Sequence, residues 1–234
     1  MPDRKSQRGS AHAIWAEKAR DPETHFAELA RALSAFADRP QVATPEELQT
    51  VLQGLARGEA LVTQAYEWRD PLAGRASSSS LAAIRGLQWR LVMAVAGLEI
   101  MLKSLLGKEH PGIHEFRLLE EQLPDFELSV LDPPLVGKRI REDWIADERI
   151  LTFLSLRAGD LKILKRWMID AEPLVELANH LAVAKALRNC TAHAALSASK
   201  CKQLKFADAM KQLPATIYRV REGVYARLCE KIVE

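Results

Sequence analysis

Residues 81–106 of the chain read LAAIRGLQWRLVMAVAGLEIMLKSLL, and they form the clearest amphipathic helical pattern in the sequence. Its apolar residues recur at alternating steps of three and four, which is the spacing of one buried face of an α-helix. Gly107 follows the stretch as a typical helix C-terminus. The pattern therefore predicts a central core helix, and its repeated apolar positions are Ile84, Leu87, Leu91, Val95, Leu98, Met101 or Leu102, and Leu105.

The composition of the whole chain also favours helices. Of 234 residues, 48% are hydrophobic, which is enough to bury a core, but only 6% are aromatic. Leucine and alanine dominate, and runs of the β-branched residues that favour strands are scarce, so the composition favours helices over sheets. We therefore predict an all-α protein, a helical bundle.

Polar and proline-rich segments divide the chain into three predicted parts. Residues 1–12 are polar and are predicted to be a disordered tail. Residues 13–76 are predicted to form an N-terminal helical region of unknown role, in which Thr44 and Glu47 read as the capping box of one helix. Residues 77–234 then form the main helical domain, with further helices predicted at 113–123, 143–156 and 160–169, from about Pro173 through the motif described below, and at 215–232.

Several classes of protein are not indicated by the sequence. The chain has three cysteines, Cys190, Cys201 and Cys229. This odd number and their spacing do not fit a disulfide framework or a zinc site. His110 and His114 are separated by a proline and a glycine, which break the helix that could align them on a metal. No phosphate-binding glycine loop, signal peptide or membrane-length apolar run is present. We expect a soluble cytoplasmic protein without metal or cofactor.

A short polar motif ends an otherwise apolar helical pattern near the C-terminus. The segment from Arg188 to His193 reads Arg-Asn-Cys-Thr-Ala-His. Arg188 lies at the position of the pattern where a leucine is expected, so its guanidinium needs a partner or a function. Arginine, carboxamide and imidazole side chains together suit phosphate chemistry. We therefore take Arg188, Asn189 and His193 as candidate catalytic residues.

The motif also opens a basic stretch. The chain has a formal net charge of +2, but residues 185–221 contain eight lysines and arginines against Asp208 alone. A basic surface beside a phosphate-suited motif indicates an anionic partner, although a run of charge on a helix is often only a solvated face. The candidate residues for binding this partner are Lys185, Lys200, Lys202 and Lys205.

Helix geometry restricts how the motif could work. Residues five apart on a regular helix point about 140° apart and are separated by about 7.5 Å along the axis. Arg188 and His193 therefore cannot easily contact one phosphate from one straight helix. Either the helix ends or kinks near Cys190 and Thr191, or two copies of the chain complete the site around a two-fold axis.

The motif and its helical context resemble the HEPN superfamily, whose signature is an arginine, then a polar residue that is often asparagine, then a histidine. The segment from Gly97 to Leu106 is similar to the helix that many HEPN proteins place before the motif helix. The resemblance covers residues 81–234. It implies a helical bundle of HEPN type, in which the N-terminal region is additional.

The resemblance also implies a function. Many HEPN proteins are metal-independent endoribonucleases that act as homodimers in antiviral defence, toxin–antitoxin and RNA-processing systems. Carried over by position, Arg188 would steady the scissile phosphate, His193 would transfer a proton, and Asn189 would orient the phosphate or His193. The RNA would supply its own 2′-hydroxyl as nucleophile and leave a 2′,3′-cyclic phosphate, without a metal or cofactor. RNA, a second copy, and an antitoxin or defence-complex subunit are the partners implied.

Two other interpretations stand beside this one. The arginine and asparagine could simply hydrogen-bond carbonyl groups at a helix end, with His193 as an ordinary surface residue. Alternatively, the chain could be a non-catalytic RNA-binding or adaptor subunit of a larger complex that docks through its N-terminal region.

Overall fold

The computed structural model describes residues 4–37, 42–68, 80–146 and 158–233, and for residues 4–11, 37, 158 and 233 it describes the backbone alone. The structure is 75% helical, and these ranges contain no strand or sheet, which confirms the all-α prediction. They hold ten helices: α1 Arg4–Arg20, α2 Phe26–Ala37, α3 Pro45–Glu67, α4 Leu81–Leu106, α5 Ile113–Glu121, α6 Lys138–Ile145, α7 Ala158–Met168, α8 Leu177–Ala192, α9 Ala198–Gln203 and α10 Ala207–Val233.

Helices α3 and α4 form an antiparallel pair at the centre of the molecule. Their axes are closest where Gly58 faces Gly97, since a Cβ atom added at either glycine would lie 2.5 Å from the carbonyl oxygen of the other. Only glycine permits this approach. Ser80 caps α4 by accepting the Ala83 N–H at 3.1 Å, and Gly107 ends it in the left-handed conformation. The predicted core helix is confirmed from end to end.

Helix α8, which carries the motif, is surrounded by other helices. It packs against α4, α5, α7 and α10, and every residue from Leu177 to Leu187 is buried. No side chain caps it from its own N-cap position, Glu176. Instead the carboxylate of Glu120 on α5 accepts the N–H groups of Leu177 at 2.7 Å and Ala178 at 3.5 Å. The apolar pattern predicts one buried stripe, whereas the neighbours of α8 bury its whole circumference.

Several predicted boundaries need correction. The chain is helical from Arg4, so the tail predicted to be disordered through residue 12 belongs mostly to α1. This helix is held by Trp15, which is only 4% exposed. The last helix begins at Ala207 and contains Pro214, whereas the sequence predicts a start just after that proline. The helix predicted at 143–156 corresponds in part to α6, and residues 147–157 lie outside the described ranges.

One hydrophobic core joins the predicted N-terminal region to the main domain. Its buried residues run from Trp15 on α1 to Ile232 on α10. The predicted boundary at residues 76 and 77 lies outside the described ranges, but α1, α2 and α3 all pack against α10. Within the described residues, no helix has both the length and the apolar character needed to cross a membrane.

Candidate functional site

The motif lies at the C-terminal end of α8, where the chain turns back into α9. The helix ends at Ala192, and His193 is its C-cap residue, exposed to solvent. The next residue, Ala194, has a φ of 56°, in the left-handed region that normally ends a helix at glycine. The Leu196 N–H then donates to the Cys190 carbonyl at 2.9 Å, which closes the turn. The imidazole of His193 is therefore presented at the surface by a tightly closed turn.

Arg188 has an acidic partner on the neighbouring helix. Its Nη2 donates to Oε2 of Glu99 on α4, and both side chains are about one-fifth exposed. The Nε atom of Arg188 is buried and makes no hydrogen bond within the described part of the protein. A guanidinium carries five N–H donors, so the contact with Glu99 fixes its position and leaves other donors to bind an anion. The expectation that this arginine needs a partner is thus met by Glu99.

One copy of the chain does not bring Arg188 and His193 together by bending the helix. The His193 N–H still donates to the Asn189 carbonyl at 3.0 Å, as it would in an uninterrupted helix. The helix therefore ends too late to cancel the angle of about 140° between the two residues. The helix does end between the two residues, at Ala192, but too late to bring them together, and the site shared by two copies stays a prediction.

Asn189 lies on the inner side of α8. It is 7% exposed, so its side-chain amide faces the protein interior, and its main-chain carbonyl is the acceptor for His193. This position suits the orienting role implied by the resemblance better than direct contact with a substrate.

Lys185 has to be removed from the predicted RNA-binding set. It is 7% exposed, its Nζ lies 3.3 Å from Oδ2 of the fully buried Asp160, and it donates to the Pro111 carbonyl at 2.6 Å. The ammonium group would have to leave both partners to reach a phosphate. The prediction placed it on the surface because the pattern of α8 alone does not reveal the helices that cover it.

The other three lysines follow the motif closely. Ser197 caps α9 by accepting the Lys200 N–H at 3.1 Å, and Lys200 is half-buried with its Nζ donating to Gln203 at 3.1 Å. Lys202 and Lys205 are exposed, and Lys205 turns the chain into α10 with a φ of 54°. Lysines 200, 202 and 205 thus share with His193 the short surface segment between α8 and α10.

Sequence reasoning missed the role of Glu99. It is the only acidic residue of α4, within a long apolar pattern, and this isolation is the signal that could have singled it out. Nothing local connects it with Arg188, because the two residues are 89 positions apart.

Sequence reasoning also missed a polar cluster around Glu59 on α3. The carboxylate accepts the hydroxyl of Tyr225 at 2.9 Å, and it lies 2.6 Å from Nε2 of His12 and 3.6 Å from Nη1 of Arg221. Burial, followed by the charge of Glu59, raises the pKa of the Tyr225 phenol. The cluster joins α1, α3 and α10, so we assign it to fastening the N-terminal helix. An open pocket of about 670 Å³ borders it, lined partly by Thr63, Glu67 and Trp68.

Among the described residues, no group of three or more histidine, cysteine, aspartate or glutamate side chains is arranged to hold a metal ion. The candidate site consists of an arginine held by Glu99, an exposed histidine, a buried asparagine and a short basic surface. Comparison of the chain with protein-family models, with curated proteins and with solved structures finds no match in any of the three.

Proposed function

We propose that the protein is a metal-independent endoribonuclease that acts as a homodimer, with Arg188 and His193 as its catalytic residues. The observation that carries the proposal is how these two side chains are placed at the end of α8. The arginine is positioned by Glu99 with donors to spare, and the histidine is exposed on the closed turn that follows. Lys202 and Lys205 supply positive charge on the same segment.

The chemistry requires only groups that the chain contains. His193 would take the proton from the 2′-hydroxyl of the RNA while water protonates the leaving 5′-oxygen, or it would give a proton to the 5′-oxygen while water takes the 2′-hydroxyl proton. Arg188 would neutralise the charge that develops on the phosphate oxygens. The P–O bond to the 5′-oxygen breaks as the bond to the 2′-oxygen forms, which leaves a 2′,3′-cyclic phosphate and a 5′-hydroxyl. Glu99 is a positioning residue, because it acts through Arg188.

The angle between the two residues favours a shared site. If the arginine of one copy acts with the histidine of the other, a dimer contains two such sites related by a two-fold axis. Mixing the inactive variants Arg188→Ala and His193→Ala should then restore cleavage, because a mixed dimer contains one site with both residues intact. Random mixing should give about a quarter of the wild-type rate. If each chain formed its own site, mixing would restore nothing.

The direct test is cleavage of a labelled single-stranded RNA by the full-length protein, with and without EDTA. We expect Arg188→Ala and His193→Ala each to abolish cleavage, and Glu99→Gln to reduce it. The exposed residues Arg57 and His110 supply matched controls, since Arg57→Ala and His110→Ala should cleave like the wild type. The products should carry cyclic phosphate, and RNA with a 2′-deoxy or 2′-O-methyl scissile nucleotide should not be cut. Full activity of His193→Ala, or cleavage of the blocked RNA, would contradict the mechanism.

A non-catalytic RNA-binding or adaptor role is the second candidate. The ion pair with Glu99 favours it, because a paired arginine can be purely structural. Under this role, no RNA would be cleaved, while charge reversal at Lys202 and Lys205 would still weaken RNA binding and flatten its dependence on salt. An antiviral or toxin–antitoxin setting, with its partner subunit, rests on the HEPN resemblance alone.

A further inference from the structure

One face of α4 is open to solvent beside the Arg188–Glu99 pair. Its residues follow one another at steps of three and four, which places them within an arc of about 80° around the helix axis. Of these residues, Leu81, Arg85, Trp89 and Lys103 are exposed, and Val92, Ala96 and Glu99 are half-buried. We call this surface the α4 face, and it consists of Leu81, Arg85, Trp89, Val92, Ala96, Glu99 and Lys103.

Trp89 is the unusual residue of the α4 face. It is 55% exposed, whereas Trp15, Trp144 and Trp167 are almost completely buried. An exposed indole gives up the stabilisation that burial of a large aromatic ring provides. Its flat π surface can stack on any nucleobase, which makes such a residue useful for binding single-stranded nucleic acid.

The charges of the α4 face suit a polyanion. Arg85 lies one helical turn before Trp89, and Lys103 lies one turn after Glu99, where it also pairs with Glu109 at 2.9 Å. Glu99 is the only acidic residue of α4, and its charge is compensated by Arg188. A strand that follows the face therefore meets the charge of Arg85 near its phosphates, while Glu99 and Lys103 each already have a partner of opposite charge.

The α4 face also leads to the proposed cleavage site. Trp89 and Glu99 are ten residues apart on one helix, which corresponds to about 15 Å. A few nucleotides of an extended strand span this distance. RNA with its scissile phosphate at Arg188 can thus lie along α4 and reach Trp89.

We infer that the α4 face binds single-stranded RNA, with a base stacked on Trp89 and a phosphate bound by Arg85. The inference rests on the proposed function, because it extends the substrate path from the same site. A second copy of the chain is the competing occupant, but in a two-fold contact between two α4 faces Arg85 would meet no acidic residue other than Glu99, which is already bonded to Arg188. The charge of Arg85 therefore favours RNA.

The test uses the full-length protein and a fluorescent 2′-O-methyl RNA strand of mixed sequence, which cannot be cleaved. We expect Trp89→Ala to raise Kd by about 5- to 150-fold, the range for the loss of one stacked base. Trp89→Phe should lose less, because it keeps a ring. Arg85→Gln should lower the slope of log K against log salt by about one phosphate contact. The matched controls are Leu135→Ala, at an 84% exposed position in the segment before α6, and Arg57→Gln on α3, and both should bind like the wild type.

Three results would overturn the inference: no binding of the strand by the wild type, an unchanged Kd for Trp89→Ala, or dissociation of a dimer by Trp89→Ala in sedimentation velocity. The last result would identify the α4 face as a contact between protein chains. Failure of the proposed nuclease is a separate outcome, since it appears as absent cleavage of ordinary RNA while Trp89-dependent binding of the blocked strand persists. Conversely, motif-dependent cleavage with unchanged binding by Trp89→Ala would reject the α4 face alone.

Discussion

Replacing Lys185 with methionine should destabilise the protein by roughly 3–5 kcal/mol, because it removes the cation that is paired with the buried carboxylate of Asp160. In the described structure, the Lys185 ammonium lies 3.3 Å from Asp160, whose side chain is fully buried. The variant keeps the aliphatic stem of the lysine but leaves the Asp160 charge uncompensated. A domain of 150–250 residues loses about 2–4 °C of Tm per kcal/mol, so the expected decrease is roughly 6–20 °C.

The measurement is urea unfolding followed by far-UV circular dichroism, with Asp160→Leu as the second mutation of a double-mutant cycle. Leucine has the same heavy-atom branching as aspartate, so Lys185→Met combined with Asp160→Leu replaces both charges by apolar groups of similar shape. The double variant should recover most of the stability, since apolar replacements of buried ion pairs are often neutral or stabilising. Lys202→Met, at an exposed lysine, is the matched control and should remain within about 0.5 kcal/mol of the wild type.

A loss of less than about 1 kcal/mol for Lys185→Met, or no recovery in the double variant, would refute the reasoning that the buried charge needs its partner. The same proteins also test the removal of Lys185 from the RNA surface. If Lys185→Met unfolded like the wild type but bound RNA much more weakly, Lys185 would have to be returned to that surface.

Three further predictions concern the protein around the site. Burial lowers the pKa of His180, whose Nε2 is bonded to the Leu174 carbonyl at 2.9 Å, so the folded protein favours the neutral ring. The protein should therefore lose stability as pH falls through 6.5, and Tm should fall less steeply with pH for His180→Gln. Burial raises the pKa of the Cys190 and Cys201 thiols to about 12, so both should react with Ellman's reagent only as fast as the protein unfolds, and rapid labelling of the native protein would contradict this. Ala194→Gly should raise the free energy of unfolding by up to about 1 kcal/mol, because glycine tolerates the positive φ at this position. A loss of stability in thermal unfolding would show that the turn is unstrained.

The elements that the sequence predicts well are those with local signals. In α3, the Glu47 N–H donates to Thr44 Oγ1 at 3.2 Å, and the Glu47 carboxylate accepts the Ala43 N–H at 2.8 Å, close to the predicted capping box. Helix α4 is equally local, because its apolar spacing, its N-cap serine and its terminal glycine lie within one continuous segment. Local signals mislead at Pro214, where a residue typical of helix starts lies inside α10.

The site could be predicted only in part. The residue types and spacing of the motif are visible in the chain, and so is the angle that separates Arg188 from His193. The contact of Arg188 with Glu99 and the burial of Lys185 depend on which helices become neighbours, and periodicity carries no information about that. The role of Glu59 was hidden for the same reason, since its partners come from α1 and α10.

The close contact of Gly58 with Gly97 should transmit a movement of α3 to α4. Gly97 is two residues before Glu99, so a rotation or translation of α3 that disturbs the glycine contact is passed to Glu99 and then to the Arg188 guanidinium. If Arg188 binds phosphate as proposed, a partner that binds the N-terminal third and displaces α3 would change the affinity for phosphate. By thermodynamic linkage, phosphate bound at Arg188 would then change the affinity for that partner by the same factor. The contact of two glycines would in this way connect the N-terminal third with the Arg188 site.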